Sequence, residues 1–326
     1  MIGKFYPPHA GHRFLIETAL AACDEVLVAV LAGSSETIPL EIRLAALAEM
    51  CPDATVFGGI TDHVVDYQDP VVYDWWDRAI KDIIGRERVD LLFSSEAYGD
   101  EVAQRLAARH VLVDPDRTSV PISGTAVRAD PIGNWEMLGP TMRAWYVPRV
   151  CLTGAESTGT TTMARRLAKC YRTVWVPEYG REYSIPKDQA GDTWTHADFM
   201  HIARTQAANE DAAARVANKI LFCDTDPATT ALWHEQYLGS PAPDIAAFGA
   251  SRRYAITFLT ANDFGWVNDG SRIGTEARDP MQARFREMLQ GRPEPVIELT
   301  GSVKDREAEA LATISQRLGI KVPGQT

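Results

Sequence analysis

The chain has 326 residues, 33 basic and 44 acidic side chains, a formal net charge of −11 and 45% hydrophobic residues. No apolar run approaches the roughly 18–20 residues a membrane helix needs, and Met1-Ile2-Gly3-Lys4-Phe5-Tyr6 is no secretory leader. Cys23, Cys51, Cys151, Cys170 and Cys223 lack CxxC spacing and point to reduced thiols in a cytoplasmic protein, and an acidic chain without a basic block makes DNA or a membrane an unexpected partner.

At about 150 residues per domain the length suggests two domains. In the first half, continuous apolar runs predict buried parallel strands over 26–31, 89–93 and 111–113. Amphipathic stretches between them predict helices over 11–22, 39–50, 71–84 and 100–108. Such alternation builds a parallel sheet covered on both faces. The pattern pauses over 140–148, which places a boundary near residue 147. Beyond it, strands are expected at 149–153, 174–176, 219–223, 255–259 and 296–299, with helices over 160–170, 195–218 and 303–318. There is no internal repeat or low-complexity tract, and the other histidines (His63, His110, His196, His201, His234) show no metal-ligand spacing.

Two segments carry phosphate chemistry in the first half. Gly3-Lys4-Phe5-Tyr6-Pro7-Pro8-His9-Ala10-Gly11-His12 opens a helix, and its HxGH sets two imidazoles beside a helix N-terminus whose free N–H groups and dipole suit an anion. Gly11 permits close approach of backbone to ligand, and Lys4 adds a fixed charge. Ile122-Ser123-Gly124-Thr125-Ala126-Val127-Arg128 follows the last strand, with Ser123 as N-cap, hydroxyls on Ser123 and Thr125, and Arg128 one turn on to grip outer phosphates. Either segment alone reads equally as a solvated loop or a capped helix; together at the ends of one domain they read as a site.

In the second half, Gly154-Ala155-Glu156-Ser157-Thr158-Gly159-Thr160-Thr161-Thr162 follows a strand and matches GxxxxGK[ST] except that Thr160 stands where the lysine belongs. The backbone cradle does not depend on that side chain, whereas the charge on the outer phosphates does. Thr161 is in place for Mg²⁺. Cys223-Asp224-Thr225-Asp226 ends an apolar strand; Asp224 reads as the acid that holds Mg²⁺ or, with Pro227 close behind, as a helix N-cap.

HxGH with ISGTxxR resembles the nucleotidylyltransferase superfamily. With Ser94-Ser95-Glu96-Ala97-Tyr98-Gly99-Asp100 and the P-loop half, nearly the whole chain resembles the NadR-type nicotinamide mononucleotide adenylyltransferases, whose second domain is a ribosylnicotinamide kinase. The resemblance implies an α/β chain of two domains, a Rossmann-like nucleotidylyltransferase over 1–147 and a P-loop kinase over 148–326, each on a parallel sheet. It implies ATP, nicotinamide mononucleotide (NMN) and nicotinamide riboside as ligands and Mg²⁺ as cofactor. In the first domain Lys4, His9, His12 and Arg128 would stabilise charge on the polyphosphate, with ATP against Gly3, Phe5, Gly11, Ser94, Ser123 and Thr125, and NMN against Trp75 or Trp76. In the second, Gly154, Glu156, Ser157, Thr158, Gly159, Thr160, Thr161 and Thr162 would hold ATP with lid cations Arg272 and Arg278. Glu178 would accept the 5′-hydroxyl proton, and Tyr179, Trp266 and Asp269 would hold the riboside.

Two departures follow. Without the lysine, either another cation compensates and the kinase is slow, or the unit binds nucleotide without turnover and the protein is chiefly a nucleotide sensor. The strand before Gly3 is unusually short, from a late start codon or a short strand; this sequence has no helix-turn-helix segment, so the repressor role of some relatives is expected to be absent. A homo-oligomer is left open.

Overall fold

The computed structural model describes residues 1–62, 81–82, 85, 89–263 and 275–324, except the side chains of 275–278. The helix expected over 71–84, with Trp75 and Trp76, lies almost wholly outside the described residues, as do Trp266, Asp269, Arg272 and the Arg278 side chain. The chain divides into two compact units, Met1–Tyr146 and Val147–Thr326.

The first unit runs β1 (Ile2–Gly3), α1 (Ala10–Leu20), β2 (Leu27–Ala32), α2 (Leu40–Met50), β3 (Thr55–Ile60), β4 (Leu91–Ser94), α3 (Gly99–Arg105), β5 (Arg109–Leu112), α4 (Gly124–Ala129) and α5 (Pro140–Tyr146). Strands β1, β2 and β3 pair in that order and β4 pairs with β5, all parallel. The apolar run of β2 alternates its side chains between two cores, as expected for a strand covered on both faces. Ala29 and Leu31 pack with Ile2, Leu92 and Val102. Val28 and Val30 pack with Phe5, Ile16, Leu47 and Phe93. Both strand sets share both cores and so act as one layer. Strand β3 was not expected; its sequence, Thr-Val-Phe-Gly-Gly-Ile, is half-exposed and broken by glycine. Gly58 is required there, because a Cβ would stand 2.5 Å from the Val30 carbonyl oxygen. The expected pause at 140–148 is instead α5, which starts at Pro140.

The second unit runs β6 (Arg149–Thr153), α6 (Thr160–Tyr171), β7 (Trp175–Val176), α7 (Tyr179–Gln189), α8 (His196–Ala214), β8 (Leu221–Asp224), α9 (Thr229–Leu238), α10 (Pro243–Ala250), β9 (Ile256–Thr260), α11 (Thr275–Leu289), β10 (Val296–Leu299) and α12 (Val303–Leu318). Its five parallel strands lie in the order β10-β9-β6-β8-β7. Strand β6 is therefore central, and the loop leaving its carboxyl end sits where ligands bind in open parallel sheets. Capping boxes start α8 (Thr195 with Asp198) and α12 (Ser302 with Asp305).

Arg306, on α12, is wholly buried and donates to the carbonyls of Thr158 (2.8 Å), Ala261 (2.9 Å) and Gly301 (3.1 Å) while pairing with Asp263. Arg306→Met leaves those buried carbonyls without the guanidinium and Asp263 without its cation, with the Gly301 N–H still donating to that carboxylate. The expected loss is about 3–5 kcal/mol of unfolding free energy, read by urea titration.

Candidate active sites

In the first unit the Gly3–His12 segment leaves β1 and folds back on α1. His9, in extended conformation, caps the helix by accepting the Gly11 N–H on Nδ1 (3.1 Å). No acidic side chain occupies the first turn of α1, so its positive end is not neutralised from within. The imidazoles of His9 and His12 stack with centroids 3.8 Å apart, and Phe5 packs on His12 at 4.8 Å. Gly11 makes room for that stack: a Cβ would lie 3.0 Å from the His9 ring and 3.2 Å from an Ile122 methyl. Burial and the Arg117 charge push the His9 pKa down to about 4. Burial, His9 and Arg117 hold His12 well below the ordinary imidazole value. Both rings are neutral donors at pH 7. Nδ1 of His12 is buried with no hydrogen-bond partner, a polar atom without the partner that buried groups require.

Around the pair, Lys4 Nζ meets Glu36 at 2.9 Å, and the other Glu36 oxygen meets the buried Arg43 at 2.6 Å. Tyr6 lies between Arg43 (4.4 Å) and Arg128 (4.5 Å), with its hydroxyl 2.7 Å from Thr37 Oγ1. Arg128 donates to the Tyr6 carbonyl and to Thr125 Oγ1 (3.1 Å), and Ser123 caps α4 by accepting the Ala126 N–H (3.1 Å). A Cβ on Gly124 would lie 2.6 Å from the Tyr6 carbonyl oxygen. The two phosphate-binding segments are thus fastened together. Ser94 is buried and bonded to the Glu96 carbonyl (2.9 Å) and to His110 Nε2 (2.7 Å), whose Nδ1 meets Asp100 (2.7 Å). His110, read as ordinary from sequence, clamps the loop after β4. Sequence reasoning missed Arg117, held by Glu96 at 3.1 Å, because Asp114-Pro115-Asp116 before it reads only as a turn.

In the second unit the loop from β6 into α6 has left-handed backbone at Gly154 (φ 153°), Ser157 (φ 58°) and Gly159 (φ 90°). A Cβ on Gly154 would lie 2.8 Å from the hydroxyl oxygens of Thr158 and Thr260. Thr158 is buried, donates to the Ala155 carbonyl (2.7 Å) and meets Thr260 Oγ1 (2.8 Å). The buried Gln282 accepts the Ala155 N–H (2.9 Å) and donates to the Thr260 carbonyl (3.0 Å). Gln282 and Arg306, neither found from sequence, hold the loop's backbone from behind. Thr161 Oγ1 donates to Asp224 Oδ2 at 2.5 Å, and the Thr160 side chain, nearby, also favours the charged form of Asp224. Thr162 continues α6. Asp224 ends β8, and the capping of α9 falls to Asp226, which accepts the Thr229 N–H at 2.9 Å.

A cavity of about 150 Å³ opens on this loop, lined by Gly154, Glu156, Ser157 and Thr160, by Glu178 and Arg181, and by an aromatic end of Trp194, Phe199, Trp233 and Tyr237. Trp194 lies 5.0 Å from Phe199 and 5.1 Å from Tyr237. Burial, and then the nearby Asp224 charge, push the Glu178 pKa up, and burial raises Asp224. Tyr179 is not in the lining; its hydroxyl meets His201 Nε2 (3.1 Å) and its N–H is accepted by Gln206 Oε1 (3.0 Å). Gln206 is buried, lines the cavity and has an Nε2 with no partner. Gln206 and the aromatic end escaped the sequence reading because Phe199, Gln206, Trp233 and Tyr237 come from helices whose apolar residues read as core, and Trp194 comes from the loop before α8.

Two family models match, a cytidylyltransferase-like domain over residues 1–130 and an AAA domain over 149–306. The trifunctional NAD biosynthesis/regulator protein NadR of Escherichia coli strain K12 is 30% identical over 310 residues, covering 89% of this chain and 75% of that protein. The chain belongs to the NadR family. The NadR of Salmonella typhimurium strain LT2 is 30% identical over 314 residues, with the same coverage. A crystal structure of a NadR protein with NR superposes with a TM-score of 0.81 at 21% identity, and one with NAD and AMP-PNP with 0.79 at 20%; each match covers 100% of this chain and 97% of the other. The fold is therefore that of NadR proteins throughout, two α/β domains with parallel sheets. This NadR-family chain is a nicotinamide-nucleotide adenylyltransferase of NAD biosynthesis with a P-loop kinase-like domain attached.

Proposed function

We propose that the first unit transfers AMP from ATP to NMN, and that the second phosphorylates nicotinamide riboside slowly on a phosphate loop without its lysine. For the first unit the observation that carries the reading is the stacked pair of neutral imidazoles, His9 buried and His12 half-buried, at an uncompensated helix start, with the buried Nδ1 of His12 unpartnered. The phosphate of NMN attacks the α-phosphorus in line: one P–O bond forms, the bond to the β-phosphate oxygen breaks, and pyrophosphate leaves. The nucleophile is already an anion, so no base is needed, and the residues act by position and charge. His9 and His12 donate to the α-phosphate region, and Lys4 and Arg128 meet the outer phosphates. Lys4 must exchange Glu36 for the ligand, which its exposed position permits.

In the second unit the aromatic end of the cavity suits a flat cationic pyridinium. This agrees with the NR and the AMP-PNP named in the two solved NadR complexes. Glu178, kept basic by its raised pKa, accepts the proton of the 5′-hydroxyl. The chemistry of the donors fits a magnesium ion, because the buried Asp224 Oδ1 has no hydrogen-bond partner and Thr161 stands beside it. Thr161 and Asp224 would hold that ion, which neutralises phosphate charge. A second reading, a nucleotide sensor without turnover, has Thr160 in its favour. Five free thiols fit a reducing compartment, and we place the protein in the cytoplasm. Among the described residues no helix is long and apolar enough to cross a membrane.

The test is direct. Purified protein with ATP, Mg²⁺ and NMN is expected to release NAD and pyrophosphate in equal amounts. No NAD above the enzyme-free blank contradicts the assignment of the first unit.

A further inference from the structure

Thr160 leaves the phosphate loop with an intact backbone cradle and no side-chain cation. Among the described residues that line the cavity, one is positively charged, Arg181. It stands in the first turn of α7 with Nε 3.7 Å from Glu178 Oε2, and its side chain is partly exposed. Its charge is felt at both carboxylates of the site, lowering the proton affinity of Glu178 and of Asp224. Among the described residues the positive charge of the cavity that the phosphate loop and Glu178 both line therefore comes from α7, beside the proton acceptor, and not from the loop.

We propose that Arg181 is a catalytic residue of this site and replaces, from α7, the charge that Thr160 has removed from the loop. A guanidinium is suited to this, being charged at every working pH and presenting a planar fork to phosphate oxygens. The proposal rests on the riboside kinase reading. In the step, the 5′-oxygen attacks the γ-phosphorus of ATP and its proton passes to the Glu178 carboxylate. The bond from the γ-phosphorus to the β-phosphate oxygen breaks, and ADP carries away the electron pair. As Glu178 becomes neutral, its pull on Arg181 weakens at the moment negative charge grows on the transferring phosphoryl group, and the guanidinium is drawn toward the phosphate.

Riboside phosphorylation is measured for the parent chain, Arg181→Met, Thr160→Lys and the double variant. Arg181→Met is expected to lower the plateau kcat about 10²–10³-fold with an unchanged melting transition. Thr160→Lys is expected to raise the parent only about twofold but the Arg181→Met background about tenfold or more, a non-additivity that marks two routes to one charge. Arg181→Met within about twofold of the parent overturns the proposal, and so does an equal gain from Thr160→Lys in both backgrounds. If Arg181 only positioned Glu178, its loss would move the acid limb of the pH profile and leave the plateau, which also overturns the proposal. A parent without activity beside an active Thr160→Lys overturns it while leaving the riboside kinase reading in place. Inactivity of both overturns that reading, and the proposal with it.

Discussion

His12→Ala is expected to lower the rate of NAD formation from ATP and NMN by about 10²–10³-fold, the usual cost of one transition-state donor. The substitution removes the ring that stacks on His9 at 3.8 Å and the Nδ1 that the folded protein leaves without a partner. Because that atom contributes no hydrogen bond to the fold, the loss of stability is expected to stay within about 2 kcal/mol by urea titration. The pKa shifts give a second reading. Both imidazoles are held neutral by burial and by Arg117, and a bound polyphosphate favours their charged forms. ATP binding is then expected to take up protons and to tighten as pH falls. Calorimetry in buffers of different ionisation enthalpy measures that uptake, which His12→Ala is expected to diminish. An His12→Ala protein of parental activity would remove the imidazole pair from the mechanism.

Glu178→Gln is expected to lower riboside phosphorylation about 10²–10⁴-fold, the contribution of a positioned general base. The carboxyl is half-buried near Asp224, and its pKa is raised by desolvation first and by that like charge second. Ionisation is needed for proton acceptance, so kcat falls as pH drops through the raised value, and the acid limb lies at higher pH than for an ordinary carboxylate. The amide has the same shape without the charge, so Glu178→Gln is expected to leave the melting temperature equal or raise it. Activity lost together with stability would indicate a structural role for Glu178 instead. NAD formation from supplied NMN serves as the internal control, since it depends on the other unit.

Sequence reading reached the parts of this molecule where the backbone itself is constrained. The phosphate loop between β6 and α6 needs left-handed backbone at Gly154 and Gly159, and glycine spacing records such a demand directly. HxGH is legible for a similar reason: the first histidine caps the helix, the glycine clears room for its ring, and the second histidine stacks on it. Strands β2, β6, β8 and β9 are buried on both faces, so their continuous apolar runs are unambiguous. Helices α7 and α11 were hidden by internal prolines, Pro186 and Pro280, which read as stops. Strand β3 was hidden by glycines that the packing of Gly58 requires.

What spacing does not encode is which distant side chain arrives at a site. Arg306 reaches the phosphate loop from 148 positions away and Gln282 from 127. The aromatic end of the cavity gathers Trp194, Phe199 and Tyr237 from separate segments, whereas the sequence pointed to Tyr179 for the riboside. Arg181 was passed over because one arginine in the first turn of a helix has no local pattern to mark it.

In the proposed function one chain carries two different phosphate chemistries. The measurement that tests this most directly follows purified protein with nicotinamide riboside, excess ATP and Mg²⁺, with NMN and NAD quantified over time. NMN is expected to rise first and slowly, with NAD following after a lag, one ADP released at the first step and one pyrophosphate at the second. The lag is expected to vanish when NMN is supplied in place of the riboside. Failure to form NAD even from supplied NMN would contradict the account.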